Sequence, residues 1–197
     1  MKLFLTIFLF IFFILEANAQ LDKNTWLVGG TGNFYSSKRD YASFISPSTN
    51  GYSKELTLTL SPNIGYFVSD NLAIGLRPFF SWSKGEFYPN DPLYSGGTSN
   101  SKRYGIGPFG RYYFLNKEKP FNILGDLSYQ IGILDQGAKG KLSNFSFLAG
   151  PVIYFNTSVG LEFLIGYSTQ KEELKTVNKS SSSGFAINIG FQIHLIK

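Results

Sequence analysis

Four charged residues stand out because they fall within segments that otherwise hold apolar and small polar residues. They are Arg77, Arg111, Asp126 and Glu162, two positive and two negative. Buried charges are tolerated only when they are paired and hydrogen-bonded, so these four could neutralise one another in a salt-bridged layer. A ring of charge in a conducting pore would instead select the ions that pass through it.

Few residues in this chain could support catalysis. It contains one histidine, His194, and no cysteine, whereas a Ser/His/acid site requires a histidine within hydrogen-bonding reach of the nucleophile. Zinc sites draw mainly on the same two residue types. The stretch VGGTG at 28–32 superficially resembles a phosphate loop, but it lacks the Gly-Lys-Ser/Thr of a real one. We therefore predict no enzymatic activity, no metal and no cofactor.

The end of the chain shows the kind of element that would position these residues. In SGFAINIGFQIHLIK, residues 183–197, apolar residues alternate with small or polar ones. Successive side chains of a strand point to opposite faces, so this pattern predicts a strand with one apolar and one polar face. Seven earlier segments follow the same rule, which predicts an all-β chain of eight strands. They are 25–35, 55–68, 72–83, 102–115, 121–134, 144–155 and 159–168.

The predicted connections between strands alternate between short and long. The short ones are 69–71, 116–120 and 156–158. The long ones are rich in Ser, Gly, Asn and Lys, and they are 36–54, 84–101, 135–143 and 169–183. The strand segments also exceed the roughly five or six residues usual in soluble proteins and match a tilted membrane span. Together these patterns predict an eight-stranded antiparallel up-and-down transmembrane β-barrel, with tight periplasmic turns and long outer loops.

The first nineteen residues have the features of a secretory signal peptide. Lys2 gives a short positive region, an uncharged run follows from Leu3 to Leu15, and Ala17-Asn18-Ala19 supplies a small-x-small cleavage pattern. The run is shorter than the roughly 20 apolar residues that a spanning helix needs. We therefore expect a cleaved signal peptide at 1–19 and one barrel domain at 20–197, exported with the formal charge of +5 unchanged.

Alternation alone does not decide whether the apolar face meets lipid or a protein core. Charged residues concentrate in the predicted loops, and the polar face is otherwise built of residues small enough to fill a narrow barrel. Aromatic residues gather near the strand ends on the apolar face, as membrane interfaces favour. These features predict a location in the cell outer membrane. A soluble, lipocalin-like periplasmic binding protein is an alternative.

Three stretches carry a resemblance to a known family: SPNIGYFVSDNLAIGLRPFFSWSK, IGPFGRYYF and FAINIGFQIHL. They resemble the small outer-membrane β-barrel (porin-family, OmpA/OmpX-like) proteins of Gram-negative bacteria, of the type common in Bacteroidetes. The resemblance extends over nearly all of the mature chain. It implies an eight-stranded barrel inserted by the barrel-assembly machinery, and it implies no particular activity. The ending Leu195-Ile196-Lys197 departs from the aromatic residue with which such chains usually finish.

The four charged residues lie at similar distances from the nearest predicted periplasmic turn, on the inward face. The interior of an eight-stranded barrel is just wide enough for side chains to fill it. We therefore predict that Arg77, Arg111, Asp126 and Glu162 form a layer that plugs the lumen, with a small-solute channel as the alternative. His194 falls at the periplasmic end, away from the outer leaflet where lipid-modifying barrels act.

Four prolines fall within predicted strands: Pro62, Pro78, Pro108 and Pro151. A closed barrel has no free edge to spare a backbone donor, so we expect β-bulges at these positions.

The predicted outer loops carry a modest excess of positive charge. Cations placed there could contact the phosphates of lipopolysaccharide, and the chain lacks the dense basic stripe that nucleic acid would need. We expect a monomer with a structural or surface-interaction role through four extracellular loops, in contact with outer-membrane lipid. The candidate lipopolysaccharide contacts are Lys38, Arg39, Lys84, Lys102, Lys139 and Lys141.

Overall fold

The computed structural model describes residues 21–41, 50–174 and 179–195. These residues form eight antiparallel strands that close into a barrel in chain order, which confirms the predicted all-β up-and-down architecture. No helix among them is long and apolar enough to cross a membrane. The predicted signal peptide at 1–19 lies outside the described residues. The strands are β1 (Trp26–Tyr41), β2 (Gly51–Ser69), β3 (Leu72–Pro89), β4 (Gly97–Tyr113), β5 (Phe121–Asp135), β6 (Lys139–Tyr154), β7 (Val159–Leu174) and β8 (Lys179–Leu195).

The predicted division into two faces holds along the strands. In β2, Leu60 and Ile64 are exposed on the outside of the barrel, and Asn63 between them is buried in the interior. The alternation continues around the barrel and leaves an outward belt of exposed apolar side chains. This apolar belt includes Leu58, Leu60, Ile64, Ile74, Leu76, Phe80, Ile106, Ile123, Leu127, Ile131, Phe147, Ile165, Ile187, Ile189 and Phe191.

Two ends of the barrel differ in how the strands are joined. At the turn end, β2 passes to β3, β4 to β5 and β6 to β7 through the predicted short connections. At the hairpin end, most of each predicted long loop is strand: β3 continues to Pro89, β5 ends at Asp135 and β6 begins at Lys139. The loop bounds 36–54, 84–101, 135–143 and 169–183 are therefore corrected. Beyond the apolar belt, polar and aromatic residues occur on both faces, so the contrast with a period of two disappears although backbone pairing continues.

The strand register is the same on both sides of Pro108, which corrects the expectation of β-bulges at the prolines. Ile106 pairs with Ile131 and Phe109 with Ser128, so no residue is inserted between these pairs. The same is true of Pro62, Pro78 and Pro151. Each proline interrupts one ladder without shifting it, because a missing donor costs a hydrogen bond but requires no extra residue.

The register shift in the β2–β3 ladder lies instead between Phe67 and Ser69, beside the tight turn. Asn71 in that turn has a φ of 64°, a left-handed conformation that asparagine tolerates better than most residues. Pro62 and Pro78 lie opposite each other in this same ladder. The two backbone N–H donors that they lack are therefore missing from a single interruption, between the pairs Leu60↔Phe80 and Ile64↔Leu76.

Candidate functional site

The structure brings the four sequence-predicted charged residues together as one connected group, here called the ionic layer. Arg77 binds Asp126 through two parallel hydrogen bonds, Nη1–Oδ1 at 2.9 Å and Nη2–Oδ2 at 2.6 Å. Arg111 donates from Nε to the same Asp126 at 2.6 Å and from Nη1 and Nη2 to Glu162 at 2.8 and 3.0 Å. All four side chains are buried. Two positive and two negative charges therefore neutralise each other in a chain of contacts from Arg77 through Asp126 and Arg111 to Glu162.

Neutral side chains complete the hydrogen bonding of the ionic layer. Asn63 accepts a bond from Arg77 Nε at 2.5 Å, and Gln192 accepts bonds from Tyr113 Oη at 2.7 Å and Arg111 Nη1 at 3.4 Å. The network joins residues of β2, β3, β4, β5, β7 and β8 across the lumen. Buried ionic groups stabilise a structure only when their remaining donors are satisfied in this way.

The aromatic ring of Phe109 supports both guanidinium groups. The ring of Phe109 lies 4.8 Å from the guanidinium carbon of Arg77 and 5.5 Å from that of Arg111, measured to the ring centroid. Cation–π attraction of this kind is stronger where water is excluded. Phe109 was not among the predicted site residues.

The turn end of the lumen is filled by an apolar plug that sequence reasoning missed. In the sequence, the plug corresponds to apolar residues close to the tight turns, on the strand face that elsewhere carries polar residues. Leu21, just before β1, closes the end of the barrel, and its carbonyl accepts a bond from the backbone N–H of Asn71 at 2.9 Å. The plug comprises Leu21, Leu27, Phe67, Ala73, Phe109, Tyr113, Leu124, Leu148, Val152, Tyr154 and Leu164.

His194 lies within this plug and is almost fully buried. Its ring is 5.5 Å from the ring of Phe67, 5.8 Å from Tyr154 and 6.1 Å from Tyr113, measured between centroids. Such surroundings favour a packed histidine that completes an aromatic cluster. Among the described residues, no group of three or more His, Asp and Glu side chains is arranged to hold a metal ion.

Above the ionic layer, toward the hairpin end, the interior contains a cavity of about 310 Å³, here called the lumen cavity. Just over half of the residues that line it carry hydroxyl or amide groups, including Thr31, Thr59, Ser61, Asn144, Ser168, Gln170 and Asn188. An ion pair between β4 and β7 crosses the lumen over this cavity, with Arg103 Nε 2.8 Å from Glu172 Oε1. The cavity therefore lies between the ionic layer and the ion pair of Arg103 with Glu172.

Lysines form a second charged feature, on the outside of the barrel above the apolar belt. Five of the six predicted lipopolysaccharide contacts belong to this lysine rim: Lys38, Lys84, Lys102, Lys139 and Lys141. Arg39 does not, because it alternates with Lys38 along β1 and so lies on the inward-facing row. Lys54, Lys171 and Lys179 occupy outward positions at the same end.

Some lysines of the rim are already paired with acids. Lys38 is 3.3 Å from Asp40 and Lys84 is 2.5 Å from Glu86. At the opposite end of the barrel, Lys117 in the β4–β5 turn binds Asp22, and this carboxylate raises the pKa of the Lys117 ammonium. Lys117 at the turn end is therefore also neutralised by a nearby carboxylate.

Fold and site together define a closed up-and-down β-barrel with an apolar exterior and an ion-paired interior. The structure is similar to the crystal structure of the N-terminal β-barrel domain of Pseudomonas aeruginosa OprF, with 15% sequence identity and a TM-score of 0.38. The match covers 88% of this chain and 98% of that chain. No family model matches the chain, and no curated protein matches it. Function must therefore be inferred from the side chains of this chain.

Proposed function

We propose that the chain is an integral outer-membrane β-barrel whose lumen is closed by side chains. The observation that carries this proposal is the inversion of polarity between the two faces. The apolar belt is exposed on all sides, whereas Arg77, Arg111, Asp126 and Glu162 are buried within. A contiguous exposed apolar surface of this extent is a liability in water, but it is what a bilayer requires of a closed barrel.

The strands and their aromatic residues support a bilayer setting over a soluble lipocalin-like binder. All eight strands have 15 to 19 residues, long enough to cross the hydrocarbon and continue beyond it. Exposed aromatic side chains flank the apolar belt toward the turn end at Tyr112, Phe114 and Phe121, and toward the hairpin end at Tyr104 and Tyr167. Aromatic girdles at both membrane interfaces are typical of transmembrane barrels.

The ionic layer and the apolar plug support a closed lumen over a channel. Water and ions moving along the axis would meet two arginines bound to two carboxylates, and then a group of packed apolar side chains. Separating those ion pairs without compensation would cost several kcal/mol. Planar-bilayer recording on the folded, full-length barrel is therefore expected to show no stable large conductance.

A reproducible open channel in the same recording would contradict the closed lumen and favour a small-solute porin. Liposome swelling with small sugars serves as the control, because a porin lets these solutes equilibrate and a plugged barrel does not.

The lysine rim supports contact with the phosphates of lipopolysaccharide. An outward lysine is a flexible point charge suited to phosphate, and each basic residue near an anionic membrane surface contributes about 1 kcal/mol. Charge reversal of both Lys139 and Lys141 should therefore weaken binding of lipopolysaccharide micelles by about tenfold or more. Binding by the purified barrel in neutral detergent measures this, with added salt expected to weaken the wild type as well.

Lys117→Glu is the matched control, since Lys117 lies at the turn end, away from the rim. Unchanged binding by the Lys139→Glu/Lys141→Glu variant, or equal weakening by Lys117→Glu, would remove the rim from the proposal.

In this proposal the protein is a monomer without catalytic activity, metal or cofactor. It enters the membrane through the barrel-assembly machinery and acts through its four extracellular hairpins in envelope structure or surface interaction. The burial of His194 in the apolar plug, away from the hairpin end, supports a non-catalytic role.

A further inference from the structure

The strands β1 and β8 are joined along only part of their length. Their ladder runs from Trp26↔Leu195 to Thr31↔Gly190, six residue pairs. Beyond these pairs, the described part of β1 from 32 to 41 pairs with β2 alone, and β8 from 179 to 189 pairs with β7 alone. Toward the hairpin end the barrel wall therefore has a seam bounded by two free strand edges.

Glycines mark the point at which β1 leaves β8. Gly30 has a φ of +152°, and a Cβ placed on it would come within 2.7 Å of Pro62 Cα in β2. On the other strand, a Cβ placed on Gly190 would come within 2.8 Å of the carbonyl oxygen of Gly30. Only glycine fits such a conformation and so close an approach without strain. The seam thus begins next to a backbone position that requires glycine.

The outward-facing side chains at the seam are highly exposed, as expected where a neighbouring strand is missing. Phe34 in β1 is 69% exposed, and Phe185 and Ile187 in β8 are 89% and 73% exposed. These three residues are apolar and continue the apolar belt up to the seam. In a bilayer, the group that meets the seam from outside is therefore the lipid of the outer leaflet.

Behind the seam lies the lumen cavity. Thr31, Ala186 and Asn188 line this cavity, and all three belong to β1 and β8. The ionic layer bounds this cavity on the turn-end side, and the ion pair between Arg103 and Glu172 crosses it on the hairpin-end side. The seam would therefore open the cavity sideways, through the barrel wall. Free backbone groups at membrane depth are tolerated where they are buried in protein or line a water-filled cavity, and the lumen cavity lies beside these two strand edges.

We propose that this seam is a lateral portal through which an uncharged single-chain amphiphile places its polar head in the lumen cavity. The alkyl chain would lie against Phe34, Phe185 and Ile187 while remaining in the bilayer. Hydroxyl and amide groups of the wall, including Asn188 and Ser168, can donate and accept bonds with a head group that carries hydroxyls or amides.

An uncharged head fits because the charges around the cavity already neutralise one another. Arg77 and Arg111 are bound to Asp126 and Glu162, so a charged head would have to disrupt a buried pair. The cavity of about 310 Å³ is at the lower end of ligand pockets, which suits a head group and excludes a whole lipid.

This inference rests on the proposed bilayer setting, and one labelling experiment separates the two. The chain has no cysteine, so single cysteines can be placed without background. N-dodecylmaleimide is the probe, an uncharged imide head on an alkyl chain, added to the full-length barrel in phosphatidylcholine vesicles. The variants are Asn188→Cys in the cavity wall at the seam, Ile165→Cys on the lipid-facing surface and Ala73→Cys in the apolar plug.

Asn188→Cys is expected to react at least about 100-fold faster than Ala73→Cys, because a closed interior reacts only when the structure opens. Added 1-monolauroylglycerol should slow Asn188→Cys saturably and leave Ile165→Cys unaffected. If Asn188→Cys does not fold, Ala186→Cys replaces it at the neighbouring cavity position.

Three results would overturn the portal. These are labelling of Asn188→Cys as slow as that of Ala73→Cys, labelling by a charged water-soluble maleimide alone, or labelling that monolauroylglycerol does not slow. If Ile165→Cys reacts as fast with the charged water-soluble maleimide as an exposed cysteine does, its surface is open to water, the bilayer setting fails and the portal fails with it.

Discussion

Replacing Arg111 with Met is expected to lower the free energy of unfolding by about 3–5 kcal/mol, the usual cost of removing one partner of a buried ion pair. Arg111 donates to both Asp126 and Glu162 in a buried site. Asp126 keeps its two bonds to Arg77 in the variant, but Glu162 loses both bonds to the guanidinium. Urea unfolding of the barrel in lipid vesicles, followed by tryptophan fluorescence, measures the loss.

The double variant Arg111→Met/Glu162→Gln tests whether the loss comes from an unpaired charge. Glutamine keeps the size of Glu162 without its charge, so the double variant should be more stable than Arg111→Met alone. Neutral replacement of a complete buried pair is often tolerated. A loss below about 1 kcal/mol in Arg111→Met, typical of exposed salt bridges, would contradict a buried ionic layer.

A lysine introduced on the outward face should lower the free energy of unfolding nearly as much, because it adds a charge to an apolar surface. Leu76 is 54% exposed, and its cross-strand neighbours Ile64 and Pro108 also face outward. Near the bilayer midplane, Leu76→Lys is expected to cost about 2–4 kcal/mol, because the ammonium must enter hydrocarbon. The same urea unfolding in vesicles of defined thickness measures the cost.

Leu93→Lys is the matched control for this substitution. Leu93 is 87% exposed in the β3–β4 connection, beyond the apolar belt, so its change should stay within about 0.5 kcal/mol. Equal stability of Leu76→Lys and wild type would show that the apolar belt is not in contact with lipid.

The barrel and its facing were predictable because one physical rule, alternation with a period of two, operates wherever the two faces meet different surroundings. In β2, Leu60 and Ile64 face outward and Asn63 faces inward, as the sequence pattern indicates. The association of Arg77, Arg111, Asp126 and Glu162 followed from the same rule, since buried charges at one depth must find each other. The geometry of their pairing was not predictable, because it depends on the stagger between strands.

Other features were missed where that contrast disappears. At the hairpin end the contrast between an apolar and a polar face is lost, so the part of β3 from Lys84 to Pro89 was assigned to a loop. At the turn end both faces are apolar, which hid the plug around Phe67 and Leu124. The pairing of β1 with β8 involves strands from opposite ends of the chain, and a local sequence pattern carries no information on how far such a pairing extends. The seam was therefore not predicted.

Membrane fractionation of cells that express the full chain tests the central claim most directly, with the gel mobility of the membrane fraction compared before and after heating. The account predicts that the protein stays with the outer membrane through alkaline and urea washes. It also predicts faster migration of the unheated sample, because a closed hydrogen-bonded barrel stays compact in detergent. Recovery as a compact monomer in the soluble periplasmic fraction, without detergent, would contradict it.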